Sequence, residues 1–404
     1  MTRLPFAAAS FALLISAASA PLAALAQPVE VTPLAAPDAF STPGRQTGLP
    51  QDLWRGASAE TAKAVLPLLA ARPLSPAAAQ LARRVLATGA PGPEGVGDDP
   101  AVIGARAGAL IALGDPQAAA AILQRAPGLE RSPELSQAAA ESALLAGDDA
   151  RACAIEEALG SGRGQAYWLR LRTYCQALAG RTAEAQLTFE LAQGQARDAV
   201  FGRLLGAKLS GAAPGAASLR NGLDYALSKS LGLDIAAAKP SPAVAAALAG
   251  GEVAPPAFDI AAVDSATGGL AAALATGETP PPGGLSALIA AAAEAEPKAG
   301  AGLQGAALLL VALSPDLPAR DRGRLAAFAL AGGKAPAGRL LALDQAADGK
   351  LAGEAALLSL WIAADAGTAG PALGDRVRIV RALARAGLSD DARAFALEGL
   401  AGLK

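Results

Sequence analysis

The sequence predicts an all-α chain of antiparallel helix pairs, and three observations carry that expectation. Of 404 residues, 52% are hydrophobic but only 3% aromatic, because alanine dominates the apolar count. Alanine buries little surface, so a core made of it needs backbones in close approach. Helices accept it best, since it is the strongest helix former and has no side-chain entropy to lose. Helix start and stop signals bracket the apolar runs, and a turn glycine recurs at a fixed interval. The wealth of Ala, Gly, Pro and Arg beside a lone asparagine, Asn221, is the bias of GC-rich coding and says nothing of function.

The first segment has the anatomy of a secretory leader. Arg3 precedes a mostly apolar stretch through Phe11, Leu13, Leu14 and Ile15, and Ala24-Leu25-Ala26 before Gln27 forms a small-x-small cleavage site. Residues 1–26 are therefore expected to be a signal peptide cut after Ala26. The alternative, a retained anchor, is weakened by Pro5, Ser16, Ser19 and Pro21. Export places the chain in an oxidising compartment, the periplasm in a bacterium, where Cys153 and Cys175, the two cysteines present, are expected to be joined. Residues 27–50, rich in proline and without periodicity, read as a flexible linker.

Helical grammar begins at Ser58, followed by Glu60, and breaks at Arg72-Pro73. Ser75-Pro76 opens a second helix that fades at Gly89. Asp99-Pro100 and Ser132-Pro133 open two more. The segments LIALGDPQAAAAIL, ALLAGDDARACAIE and CQALAGRTAEAQLT then repeat one pattern: a helix ending in glycine, a polar turn and a second alanine-rich helix. Their glycines, Gly114, Gly147 and Gly180, are each 33 residues apart. A two-helix repeat of that length is the signature of an α-solenoid. The pattern resembles the tetratricopeptide repeat. Ala119, Ala152 and Ala185, five residues after each glycine, match the family's small position, while Phe189 and Ala192 match its aromatic and second small positions in the third copy alone. Leu123 and Glu156 replace the aromatic in the other two. The resemblance covers roughly residues 100–195 and implies a TPR-like fold, not an activity. Residues 51–210 are accordingly read as helical repeats.

Residues 211–300 lose this rhythm to Gly and Pro, with helices expected at Leu219 to Leu231 and Leu285 to Ala295. From 301 to 404 the helical pattern returns, and RALARAGLSDDARAFALEGL repeats the helix, glycine, Asp-Asp, helix order as a terminal repeat.

The chain lacks histidine, which removes Ser/His/Asp and Cys/His machinery, histidine bases and nearly every zinc site. No Walker loop, nucleophile elbow or dinucleotide fingerprint is present. Glu141-Ser142 offers the catalytic dipeptide of lytic transglycosylases, but that family's Gly-Leu-Met-Gln segment is missing, Met1 being the one methionine. Glu141 thus reads as a solvated or locally paired helix residue, and the protein as non-enzymatic, without cofactor or metal. The Asp98/Asp99, Asp148/Asp149 and Asp390/Asp391 pairs read as helix caps rather than cation ligands. A net charge of −2, falling to about −3 without the leader, gives no general attraction to nucleic acid.

Two groups remain as candidate binding surface. Tyr167, Trp168 and Tyr174 concentrate scarce aromaticity on one helix and could stack on a sugar or peptide, although Tyr167, Leu171, Tyr174 and Leu178 follow core spacing. Arg378, Arg381 and Arg385 form a stripe suited to an acidic partner, with an ordinary solvated face as the plainer reading. The expected function is that of an exported protein-interaction or scaffold protein of the cell envelope, binding protein partners of unspecified identity. The alternative is an accessory factor that binds peptidoglycan or exported polysaccharide.

Overall fold

The computed structural model describes residues 38–249, 258, 265–278, 282–314, 316–329 and 332–403. The expected leader, and residues 27–37 of the expected linker, lie outside them. Nineteen α-helices and no strand are found among the described residues, and none of those helices is long and apolar enough to cross a membrane.

The start signals act as the sequence predicts at several helices. Ser58 caps α1 (Ala59–Ala71), Asp99 caps α3 (Pro100–Ala112), Asp115 caps α4 (Pro116–Leu123), Ser132 caps α5 (Pro133–Leu145) and Asp148 caps α6 (Asp149–Ala158). Each accepts a backbone N–H that the first helical turn leaves free. At α2 (Pro76–Ala87) the expected cap Ser75 makes no such bond. A carboxylate from elsewhere takes its place: Glu398 accepts the Ala77 N–H at 2.7 Å.

The recurring glycines have a shared physical cause. Gly114, Gly147, Gly180 and Gly387 adopt φ of +82°, +77°, +72° and +90°. After each one the next N–H returns to a carbonyl five residues back, as in Asp115 N to Leu110 O (2.8 Å) and Leu388 N to Leu383 O (2.8 Å). This is the left-handed closure of a helix, where glycine alone escapes the Cβ penalty. It joins α3 to α4, α5 to α6, α7 (Ala166–Leu178) to α8 (Thr182–Gln195), and α18 (Leu373–Arg385) to α19 (Ser389–Ala401). The same bond joins α16 (Ala337–Asp348) to α17 (Ala352–Ala366), but Lys350 occupies the left-handed position there, at φ +54°. Ala119, Ala152 and Ala185 are fully buried, as are Ala355 and Ala392 at the same offset in the last two pairs.

The helices do not lie in chain order. In the first half α1, α3 and α5 pack in succession, but α1 also packs against α17, and α2 against α17 and α19. The helices of residues 301–403 thus pack on the first pair as well as on one another. The close approach is set at Gly353, whose N–H donates to Leu53 O at 2.9 Å. A Cβ there would stand 2.6 Å from the Trp54 ring. Carboxylates lock the seam. Glu354 accepts from Ser58 N and Thr61 Oγ1, both at 2.9 Å. Glu398, besides holding Ala77 N, pairs with the buried Arg376 at 2.5 Å. Asp391, expected to cap α19, pairs instead with Arg84 of α2 at 2.7 Å, because the helix start faces another helix rather than solvent. Burial raises its carboxyl to about 6, against the pull of Arg84.

One further expectation is corrected. Residues 38–50 are a packed strap, not a flexible linker. Phe40 is fully buried, 4.7 Å from Trp54, and Gly44 N donates to Ala87 O at 2.9 Å. Arg106 of α3, fully buried over the Phe40 ring, holds this strap by donating to the carbonyls of Ala39, Thr42, Leu86 and Thr88 at 2.7–3.0 Å. Desolvation lowers its pKa to about 9, so it stays charged at neutral pH. The Gly/Pro-rich middle holds helices at both expected places, Gly222–Ser230 and Pro282–Glu294. After α9 (Ala199–Ser210), α10 (Gly222–Ser230) packs against α5, and α11 (Pro242–Leu248) crosses α3, α4 and α5. It passes so near a repeat turn that a Cβ on Gly114 would lie 2.9 Å from Pro242 O. Beyond it, α12 (Ser265–Ala275) packs on α19, while α13 (Pro282–Glu294) supports α14 (Pro297–Val311) and α15 (Ala319–Leu325).

Gly353→Ala should force the seam apart and cost about 1–3 kcal/mol in urea unfolding. For Asp391 the sign follows from its shift from 3.8 to about 6. Between those values the unfolded chain releases a proton that the folded chain keeps, so this group's contribution falls as pH rises. Asp391→Asn removes the titration. Its urea stability should improve relative to the wild type by on the order of 2 kcal/mol between pH 4 and pH 7.

Candidate docking groove

The structure separates the candidate residues. Trp168 and Tyr174 are fully buried in α7 and Tyr167 is half-buried, so the aromatic helix is core and presents no stacking platform. A chain otherwise filled with alanine gains most by hiding its few large rings. The Tyr174 hydroxyl donates to Asp149 at 3.1 Å, and burial together with that carboxylate raises its pKa. Tyr167 lies beside Glu141, and its pKa too is raised by burial and by the neighbouring charge. Glu141 is not a solvated residue: its Oε2 accepts Gly222 N at 2.7 Å at the start of α10, and burial raises its pKa. It is a cap delivered across helices.

Cys153 and Cys175 are joined, with Cα atoms 5.6 Å apart. The bond ties α6 to α7. This is where regular stacking weakens, because α7 packs on α6, α8 and α9, while α10 is the helix against α5.

The arginine stripe divides into paired and unpaired members. Arg378 pairs with Asp344 at 3.3 Å and Arg385 pairs with Asp348, tying α18 to α16. Arg381, exposed between them, has no ion-pair or hydrogen-bond partner among the described residues. It stands on the wall of a groove of about 850 Å³ between α14, α15 and α18. The floor is aliphatic: Leu308 and Val311 from α14, Leu313 and Leu317 from the following loop, Leu325 from α15, and Val377 and Ala384 from α18. Arg322 and Arg385 join Arg381 on the walls, and Asp316 is the one carboxylate among the lining residues. Arg322 Nη1 donates to Leu317 O at 2.6 Å, which fixes the guanidinium at the lip. Guanidinium remains cationic at any physiological pH. The groove therefore offers apolar surface under fixed positive charge.

A second hollow, of about 330 Å³, lies between α16, α17 and the start of α18, lined by Lys334, Arg339, Asp365 and Asp375. Arg339 and Asp365 are paired within the fold. Arg339 stacks 4.3 Å over Trp361 and bonds Asp365 at 2.5 Å, and Asp365 also holds Arg72 of α1's C-cap at 2.5 Å. The Arg339 hydrogen bond is the main cause that depresses the Asp365 pKa. This hollow is a joint of the seam. Asp375 likewise spends Oδ2 on Lys334 N and Ala335 N.

The groove floor was missed by sequence reasoning, although Val377 and Ala384 flank the arginines at helical spacing and were a usable signal. No family model matches the chain, and neither a curated protein nor a solved structure matches it.

Reducing the disulfide should lower stability by about 3 kcal/mol for a loop spanning 22 residues. Urea unfolding with and without a phosphine reductant measures it, and the Cys153→Ser, Cys175→Ser variant should match the reduced wild type.

Proposed function

We propose that this protein is a non-catalytic interaction or scaffold protein of the cell envelope. In this reading it is a TPR-like solenoid, exported with its leader removed after Ala26, and it docks protein partners at the groove between α14, α15 and α18. The observation that carries the reading is the unpartnered Arg381 on the wall of an aliphatic groove, on a molecule whose other buried or clustered charges are mostly spent on internal bonds. Supporting it are the left-handed glycine turns repeated in four helix pairs, the grammar of stacked hairpins that spread contacts over several units. The joined cysteines agree with an oxidising compartment. The polysaccharide alternative loses its aromatic platform with the burial of Trp168 and Tyr174.

Immobilised wild-type protein should retain a defined set of envelope proteins that Arg381→Glu fails to retain at unchanged thermal stability. Retention on purified peptidoglycan, with no protein lost on the substitution, would contradict the proposal.

A further inference from the structure

We propose that the occupant of this groove is an amphipathic helix of a partner protein, bearing carboxylates along its polar edge; the inference rests on the interaction-protein reading above. Its apolar face would cover Leu308, Val311, Leu325 and Val377, and its carboxylates would meet Arg322 and Arg381.

Charge complementarity carries the choice. On α18 the free cation among the described residues is Arg381, since Arg385 one turn on is held by Asp348. Arg322 stands on a different element, α15, and cationic groups therefore come from two walls of the floor. A ligand with a single acidic head would satisfy one wall and leave the other. A helix that lays apolar side chains at i, i+3, i+4 and i+7 into the floor keeps both polar edges at the rim, where both walls are met. Arg385 already shares Asp348 and Arg322 is anchored to Leu317 O with donors to spare, so Arg381 is the groove cation without any partner among the described residues. That residue sets the expected ranking. Arg381→Glu should weaken binding most, and Arg381→Lys, which keeps the charge and loses the planar fork, should weaken it less.

A random-peptide display library selected on the wild-type protein, with counter-selection on Arg381→Glu, tests the inference. Enriched sequences should combine a helical apolar stripe with Asp or Glu on the polar edges that flank it. Synthesised peptides should become helical on binding and lose affinity by about tenfold or more on Arg381→Glu, with binding weakened by salt. Enrichment of basic or neutral peptides, or of acidic ones that bind the Arg381→Glu protein equally, overturns it. Binding of sodium oleate that Arg381→Glu abolishes, with no peptide enriched, overturns it in favour of a long-chain carboxylate. Capture of envelope proteins that depends on Arg381, without acidic helices among the selected peptides, overturns the occupant and leaves the interaction-protein reading standing. Loss of Arg381-dependent capture as well overturns both.

Discussion

Two glutamates from the last helices of the chain hold the first two helices by their N-termini. Glu354 reaches Ser58 and Thr61, and Glu398 reaches Ala77 across a sequence separation of 321 residues. The N–H groups there have no intrahelical partner, and the helix dipole favours an anion beside them. An isolated Glu398 in a partly buried seam would be costly, and Arg376 at 2.5 Å offsets that cost. With these contacts the C-terminal helices α17 and α19 pack directly on α1 and α2. The position of α18, and with it the groove wall, follows from the same arrangement.

The seam also shows how a chain short of large side chains holds its interior together. Alanine cores have thin contacts, so the backbones must come close, and glycine marks the tightest places. A Cβ on Gly104 would lie 2.8 Å from Leu135 N between α3 and α5, and one on Gly353 would strike Trp54. Specificity is then supplied by polar groups that reach across helices to free backbone atoms. Glu141 does so for α10, Asp375 for the loop before α16, and Arg106 for four carbonyls of the strap and α2. Removing Glu141 or Arg106 leaves a buried backbone group unsatisfied, at about 1–3 kcal/mol per group.

Helices and their joints were legible in the sequence because they are local. Ser58, Asp99, Ser132 and Asp148 cap where the pattern places them, and the spacing of Gly114, Gly147 and Gly180 reports a left-handed turn that only glycine adopts freely. The disulfide partners were legible because only two cysteines exist. What was not legible depends on which helix meets which. Ser75 and Asp391 look like caps, yet Glu398 takes the first role and Arg84 draws away the second. The strap at 38–50 looks like a tether because its order comes from Arg106, a lone arginine in an apolar run. In the candidate site, Arg381 was visible as one of three arginines, but the carboxylates that occupy its neighbours Arg378 and Arg385 lie on α16, and no local pattern announces them.

Direct packing of α17 and α19 on α1 and α2 is the claim on which the groove and its proposed use depend. Hydrogen exchange of the unmodified protein across a urea series, followed by mass spectrometry, tests it most directly. Peptides from α1 and α2 and peptides from α17 and α19 should lose protection together, with one midpoint. Loss of protection in α17 and α19 while α1 and α2 stay protected, or the reverse, would contradict it.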